Sequence, residues 1–376
     1  MTTAARVGRS GFRGEVLVAR QGDHRYDVRV GEGAASVLPE LAARYDRIAV
    51  VSSARPLRTP VARGAVEALR RSGRVALVHL LPDGEAGKTL AQLERAAVRL
   101  LRAGATRRSA VVAVGGGAVS DAAGFLAATF MRGVDWIAVP TTLLSMVDAA
   151  LGGKTAVNLP GAKNAVGAFH PPAAVLSDPR ALATLPRRQL RSGLGEVVKY
   201  AALRPELMGR LAGPAAVGAD PAIVAECARA KLEVVEADPT ERGARKLLNL
   251  GHTFGHGVEA AGRFSRYTHG EAVAVGLAFA FRLAARLGRL GPLAVAEVES
   301  AIAAAGLPLR VPPAVARRAA ALMGFDKKRT AEGLRWVLPR AAGTAWTVEW
   351  DVAADPAAVD ATVAEIAERA APRRTR

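Results

Sequence analysis

Between Arg47 and Pro140 short, continuous apolar runs alternate with longer amphipathic stretches, and this alternation limits the fold more than any other feature. RIAVVSS reads as a strand and VARGAVEALRRSG as a helix closed by Gly73. VALVHLL is a second strand, and TLAQLERAAVRLLRAG a second helix closed by Gly104. SAVVAVGGG runs from a strand into glycines, DAAGFLAATFMRG is helical, and WIAVP is a strand again. Apolar strands separated by helices of this length predict a parallel, Rossmann-like, doubly wound α/β sheet.

After residue 183 the apolar period becomes mostly that of a helix. ALATLPRRQLRSGLGEVVKYAAL, PAIVAECARAKLEVVEAD, GEAVAVGLAFAFRLAARLG and PLAVAEVESAIAAAG all read as helical. LRWVLPRAAGTAWTVEW leaves room for a short hairpin, and PAAVDATVAEIAERAA is a last helix. A chain of 376 residues accommodates about two domains. The expectation is an α/β domain over 1–183 and a mainly α-helical domain over 184–376, with a loose basic tail over 366–376. The cleft between two domains is the natural place for a site.

The formal charge of +18 raises the question of a nucleic-acid partner. Its distribution argues against one. Arginines are scattered through every segment, and aromatic residues are only 5% of the chain, too few for a base-stacking platform. A basic surface of this kind suits small anionic substrates. No apolar run reaches the ~18 residues of a membrane helix, and MTTAARVGRSGFRGEV lacks the apolar core of a secretory signal. The single cysteine, Cys227, excludes an internal disulfide and fits a reducing cytoplasm.

Arginine outnumbers lysine 44 to 8, so the remaining lysines are informative. An ammonium is a compact point charge that a planar guanidinium does not replace at every contact. Lys88, Lys154, Lys163, Lys199, Lys231, Lys327 and Lys328 are candidates for anion or hydroxyl contacts, and Lys246 reads as a leftover.

Gly115, Gly116 and Gly117 stand between a strand and a helix, where bare backbone lets a pyrophosphate approach the helix N-terminus. Thr141 and Thr142 end the next strand, and Glu85 and Lys88 follow an earlier one; both are positions where ligands sit in open α/β sheets. NLGHTFGH puts His252 and His256 at i, i+4 on one helix face, and His269 follows in YTHGE, so half of the six histidines fall within eighteen residues. With a carboxylate from Glu196 in GLGEVVKY, these imidazoles supply the donors of a catalytic zinc site. Spacing alone leaves open which two histidines ligate.

GGGAVSDAAGFLAATFMRG, VPTTLLSMVDAALGGKTAVNLPGAKNAVGAFHPP, GLGEVVKY, ERGARKLLNLGHTFGHGVEA, YTHGEAVAVG and MGFDKK occur in this order over roughly residues 25–340. Together they resemble the signatures of the 3-dehydroquinate synthases, within the sugar-phosphate cyclases. The resemblance implies a divalent metal, usually zinc and otherwise cobalt, on Glu196, His252 and His269, with His256 facing substrate. It implies NAD on Glu85, Lys88, Gly115, Gly116, Gly117, Asp121, Thr141, Thr142, Lys163 and Thr184. A substrate pocket of Asp148, Lys154, Asn164, Lys199, Lys231, Glu241, Arg245, Asn249, His256 and Lys327 or Lys328 is implied as well. Arg132 would reach a neighbouring subunit's site, so a homodimer is implied. Seven of the eight lysines are among these implied residues.

The implied reaction converts 3-deoxy-D-arabino-heptulosonate 7-phosphate to 3-dehydroquinate and phosphate. Lys231 and Arg245 suit the substrate carboxylate; Lys154, Asn164, Asn249, His256 and a lysine of DKK suit the phosphate. The sequence departs from the family in places. Ser52 and Ser53 stand where an acidic residue for the adenosine ribose is common, Ala149 and Ala150 replace small hydroxyl residues, His170 replaces a larger aromatic, and Gln189 lies near a frequent Glu. A specialised cyclase acting on an amino analogue of the substrate and a metal-dependent polyol dehydrogenase are the rival readings.

Overall fold

The computed structural model describes residues 11–211, 220–323, 329–330 and 333–367. Contacts divide the chain into two compact units, one of Met1–Pro186 with Gly218–Thr240, the other of Arg187–Val217 with Glu241–Arg376.

The first unit is built on a seven-stranded sheet. Its strands are β1 (Arg13–Gln21), β2 (His24–Glu32), β3 (Ile48–Ser53), β4 (Val75–Leu81), β5 (Ala110–Gly115), β6 (Asp135–Pro140) and β9 (Ala174–Ser177). Their order is β1-β2-β9-β6-β5-β3-β4. All neighbours are parallel except β1 and β2, an antiparallel hairpin at the edge, so the sheet is mixed rather than wholly parallel. β3 and β5 are buried along their whole length, the expected condition of strands covered on both faces. On one face Ala62, Ala65, Val66 and Leu69 of α2 (Pro60–Arg71) join Leu38 of α1 (Leu38–Ala42) and the inward residues Ile48, Val50, Val112, Val114, Ile137 and Val139 in one core. Thr59 caps α2, and Thr89 caps α3 (Leu90–Arg102), each accepting a backbone N–H. α4 (Gly117–Thr129) follows the glycine turn and packs on β5, β6 and a second hairpin, β7 (Lys154–Leu159) with β8 (Ala162–Phe169).

The helix Pro221–Ala237 (α6, with Arg187–Leu203 as α5) packs on β1, β2 and the π-helical turn Ser145–Ala149. It therefore sits with the α/β unit, although the expected boundary at 183/184 places it in the second half.

In the second unit α5 packs with α8 (His269–Arg286), and α8 with α7 (His252–Ala261). The contacts are backbone to backbone. A Cβ on Gly270 would lie 1.8 Å from Ser192 O, one on Gly195 2.4 Å from Gly270 O, and one on Gly276 1.8 Å from Gly251 O. Only glycine permits three helices to approach this closely. Thr268 and Glu271 form a capping box that starts α8 at His269. The expected hairpin is present, Trp336–Ala342 paired with Ala345–Val352. The last helix, Pro356–Ile366, ends on a fully buried Ile366, and Ala367 bridges Val311. Residues 366 and 367 of the loose tail expected over 366–376 are thus packed; residues 368–376 lie outside the described ones.

Candidate active site

In the first unit β5 runs through Gly115 into the N-terminus of α4, whose N-cap is Gly116. Any side chain here would collide. A Cβ on Gly115 would lie 2.7 Å from Val119 Cγ2, one on Gly116 2.9 Å from Thr142 Cγ2, and one on Gly117 3.0 Å from Ala149 Cβ. The turn is a bare-backbone cradle at a helix N-terminus, the donor set that suits a pyrophosphate. Thr141, whose N–H donates to Gly115 O at 2.9 Å, and Thr142 follow β6 beside it.

A polar network adjoins the cradle. Lys88, only 3% exposed, donates from Nζ to Asp121 Oδ2 at 2.6 Å and to Asn164 Oδ1 at 2.5 Å. Glu85 accepts from Asn158 Nδ2 at 2.7 Å, and Asn158 Oδ1 accepts from the N–H of Asn164 at 2.9 Å. Burial raises the pKa of Asp121, and the Lys88 ammonium opposes that rise. Lys231 on α6 is buried and donates to Asp148 O at 2.7 Å and to Asp148 Oδ1 at 2.9 Å. The cradle and the charged groups around it fit a dinucleotide.

In the second unit the glycine-tight helices bring Glu196 of α5, His252 of α7 and His269 of α8 together. One ligand atom from each lies within 4.8 Å of the others. His269 Nε2 is 3.2 Å and His252 Nε2 3.6 Å from Glu196 Oε1. The opposite ring nitrogens are held: His252 Nδ1 lies 3.1 Å from Leu250 O and His269 Nδ1 3.3 Å from Glu259 Oε2. Such outer partners fix the tautomer and turn each Nε2 lone pair toward a metal. Burial alone would lower the pKa of His269; hydrogen bonds and charge from Glu196 and Glu259 outweigh it and push the value up to about 10. The pocket demands a cation. Two imidazoles and a carboxylate fit a catalytic zinc-type ion with a position left for substrate.

Comparisons with known proteins agree with this donor set. The family models for the 3-dehydroquinate synthase N-terminal and C-terminal regions match residues 78–192 and 193–329. The chain belongs to the 3-dehydroquinate synthase family. It is 46% identical over 298 residues to the 3-dehydroquinate synthase of Xanthomonas oryzae pv. oryzae (strain MAFF 311018), covering 73% of this chain and 80% of that one. To the 3-dehydroquinate synthase of Xylella fastidiosa (strain M23) it is 43% identical over 341 residues, 86% of this chain and 92% of the relative. Among solved structures it is similar to 2-epi-5-epi-valiolone synthase from Streptomyces hygroscopicus subsp. jinggangensis 5008 with NAD+ and Zn2+ bound. That match has a TM-score of 0.80 and 27% identity over 93% of this chain and 98% of the other. It is also similar to 2-deoxy-scyllo-inosose synthase complexed with carbaglucose-6-phosphate, NAD+ and Co2+, at a TM-score of 0.77 and 26% identity over 93% and 99%.

Against the residues a 3-dehydroquinate synthase would use, the placement is specific. His256 projects to solvent; its ring centroid is 5.3 Å from that of His252, but it is not in the metal cluster. Lys199 is buried, with Nζ against Glu196 Oε2. Arg245 is fully buried in the short helix Ala244–Asn249, and Asn249 Nδ2 donates to Glu241 Oε1 at 2.9 Å. Glu241 itself has a left-handed backbone, φ 61°. Lys154 and Thr184 are exposed, and Lys163 is half-buried. Asn164, expected among phosphate contacts, accepts from Lys88 and has a left-handed backbone, φ 51°. Arg132 is exposed at the end of a left-handed pair, Met131 φ 52° and Arg132 φ 72°. Lys327 and Lys328 lie outside the described residues. Lys246, read as a leftover, sits 5.0 Å from the centre of the Trp350 ring. Two residues of consequence escape a sequence reading: Glu259, behind His269, and Asn158, which ties Glu85 to Asn164. A Glu seven positions after His252, on the same helix, is the only local signal for the first.

Proposed function

We infer that the protein converts 3-deoxy-D-arabino-heptulosonate 7-phosphate to 3-dehydroquinate and inorganic phosphate, using NAD+ and a divalent metal. The observation that carries this is the convergence of Glu196, His252 and His269, each imidazole oriented from behind, in a chain of this family. The glycine cradle, Thr141, Thr142, Glu85, Lys88 and Asp121 hold the dinucleotide, joined by Lys163 and Thr184. When bound, NAD+ supplies a reversible hydride acceptor and the metal a Lewis acid for a substrate hydroxyl, so that transient oxidation, phosphate loss, re-reduction and intramolecular aldol closure sum to a redox-neutral conversion.

The chain's own residues supply geometry and charge. Lys231, already placed on Asp148, and Arg245 have the chemistry for the substrate carboxylate, for which a guanidinium gives a bidentate fork. Lys154, Asn249, His256, a lysine of the DKK motif and Asn164 bind the phosphate and hold it as it departs. Lys199 lies against the metal-binding carboxylate and is positioned to donate to a hydroxyl beside it. Preorganised charge of this kind stabilises anionic intermediates without reorganisation.

The working protein is a homodimer in which the exposed Arg132 completes the partner's site. Its strained backbone is the kind that persists where function demands it. Cytoplasmic residence agrees with a chain whose single cysteine, Cys227, is buried.

One incubation tests the reaction. Purified protein with NAD+, zinc or cobalt and the heptulosonate phosphate should release phosphate, accumulate no NADH and form a product of dehydroquinate mass. Stoichiometric NADH on polyols, with no phosphate release, would make the chain a dehydrogenase instead. Turnover confined to an amino analogue would make it a specialised cyclase.

A further inference from the structure

The short helix Ala244–Asn249 carries Arg245 and Asn249, two of the groups assigned to substrate above, and it is weakly built. It is a 3-10 helix of six residues, a type with poor hydrogen-bond geometry that seldom runs beyond three or four. Its N-cap is Gly243, which has no side chain to offer the first N–H groups, and the chain enters it through the left-handed Glu241. Side chains three apart eclipse one another in such a helix, so Arg245 stands over Leu248 and Lys246 over Asn249. The first pair is buried and fixes one face. The second pair is half-buried and needs a contact of its own.

That contact comes from the hairpin Trp336–Ala342 with Ala345–Val352, which packs against the short helix. Lys246 Nζ lies 5.0 Å from the centre of the Trp350 ring, inside the ~6 Å reach of a cation–π contact. Trp350 stands where the hairpin is irregular. Trp336 pairs with Val352 and Leu338 with Glu349, so Trp350 and Asp351 together oppose Val337. This is a β-bulge, and Asp351 in it has a left-handed backbone, φ 63°. Bulges re-aim side chains, and a non-glycine residue in this conformation persists only where its surroundings hold it.

We propose that Lys246 is a positioning residue: its ammonium, seated on the bulge-borne Trp350 ring, fixes the rotation of the short helix and with it the placement of Arg245 and Asn249 for the anionic groups of the substrate. The inference rests on the substrate reading above. It gives a role to the one lysine outside the implied site.

Steady-state kinetics of the metal- and NAD+-loaded protein on the heptulosonate phosphate tests it. Lys246→Met keeps the aliphatic stem and removes the charge. KM should rise about fivefold, the scale of one partly desolvated cation–π contact, while kcat stays within about twofold, because lost uniform binding appears in KM. Metal content and NAD+ affinity should hold. Trp350→Leu should match Lys246→Met, and the double variant should be no worse than either, as for two groups that act as one. Lys246→Arg, whose guanidinium also stacks on an aromatic face, should restore KM. Arg340→Ala breaks an exposed ion pair to Glu349 on the same hairpin, controls for general loosening, and should leave KM unchanged. An unchanged KM in Lys246→Met overturns the inference alone. So do single effects that multiply in the double variant, and so does a KM that Arg340→Ala raises as far as Lys246→Met. Wild-type protein that releases no phosphate from the heptulosonate phosphate overturns the proposed function and the inference with it.

Discussion

The two units solve the same problem, holding charge in a buried place, in opposite ways. In the α/β unit each buried cation has an anion from the protein: Lys88 meets Asp121, and Lys231 meets Asp148. In the helical unit two carboxylates, Glu196 and Glu259, converge on His269 and drive its pKa upward. The first arrangement is balanced by itself and presents preorganised backbone to a ligand. The second gathers carboxylates around an imidazole, and the Lys199 ammonium lies against Glu196. A buried carboxylate pair is costly unless a cation completes it. The helical site is therefore the one whose integrity should depend on an ion.

The largest effect should come from removing that ion's ligands. Glu196→Ala and His269→Ala should abolish stoichiometric metal on elemental analysis. Loss of a Lewis acid worth several kcal/mol predicts a rate at least about a thousandfold lower. NAD+ affinity should stay unchanged, because the cradle belongs to the other unit. Full metal content in both variants would break the comparison.

Gly270→Ala comes next. Its Cβ would overlap Ser192 O, so α5 and α8 must part. Overpacking against backbone predicts a loss on the order of 3 kcal/mol in denaturant unfolding. The metal should be lost along with the helix contact. A variant as stable as the parent would show that the close crossing is not what assembles the cluster.

Glu259→Gln sharpens the same point at smaller scale. It keeps the shape behind His269 and removes the charge. Outer-partner changes predict a ten- to hundredfold weaker metal affinity, about one to two decades on competition with a chelator. An unchanged affinity would mean that Glu259 only packs.

Sequence and structure agree where the signal is local. β3, β5 and β6 are legible because strands covered on both faces must be continuously apolar, and the glycine turn is legible because no other residue fits it. The β7–β8 hairpin is not, since KTAVNL and AKNAVGAF carry small residues half open to solvent and no clean alternation. Pro221–Ala237 reads correctly as a helix, yet nothing in its period says that it packs on β1 and β2 rather than with the later helices. Clustering of histidines marks the site, but spacing does not separate His256 from His252 and His269. That distinction comes from a helix crossing fixed by glycines far apart in the chain. Glu259 is invisible for the same reason: on its own helix it looks like any surface glutamate.

The smallest effect tests the balanced unit. Lys88→Met removes the ammonium that opposes the burial of Asp121 and also frees Asn164 Oδ1. NAD+ should bind about tenfold more weakly, the scale of one charge-assisted hydrogen bond, while metal content holds. The pH dependence carries a sign. Asp121 has a folded pKa raised above its unfolded value, so the stability tied to its protonated form is present below about pH 4 and is lost as pH rises through the folded value. Without Lys88 the folded value rises further. The stability deficit of the variant should therefore be largest at neutral pH and shrink on acidification. A deficit that grows toward acid would mean that Asp121 is held ionised by something other than Lys88, and the α/β unit would no longer be balanced by the pairs identified in it.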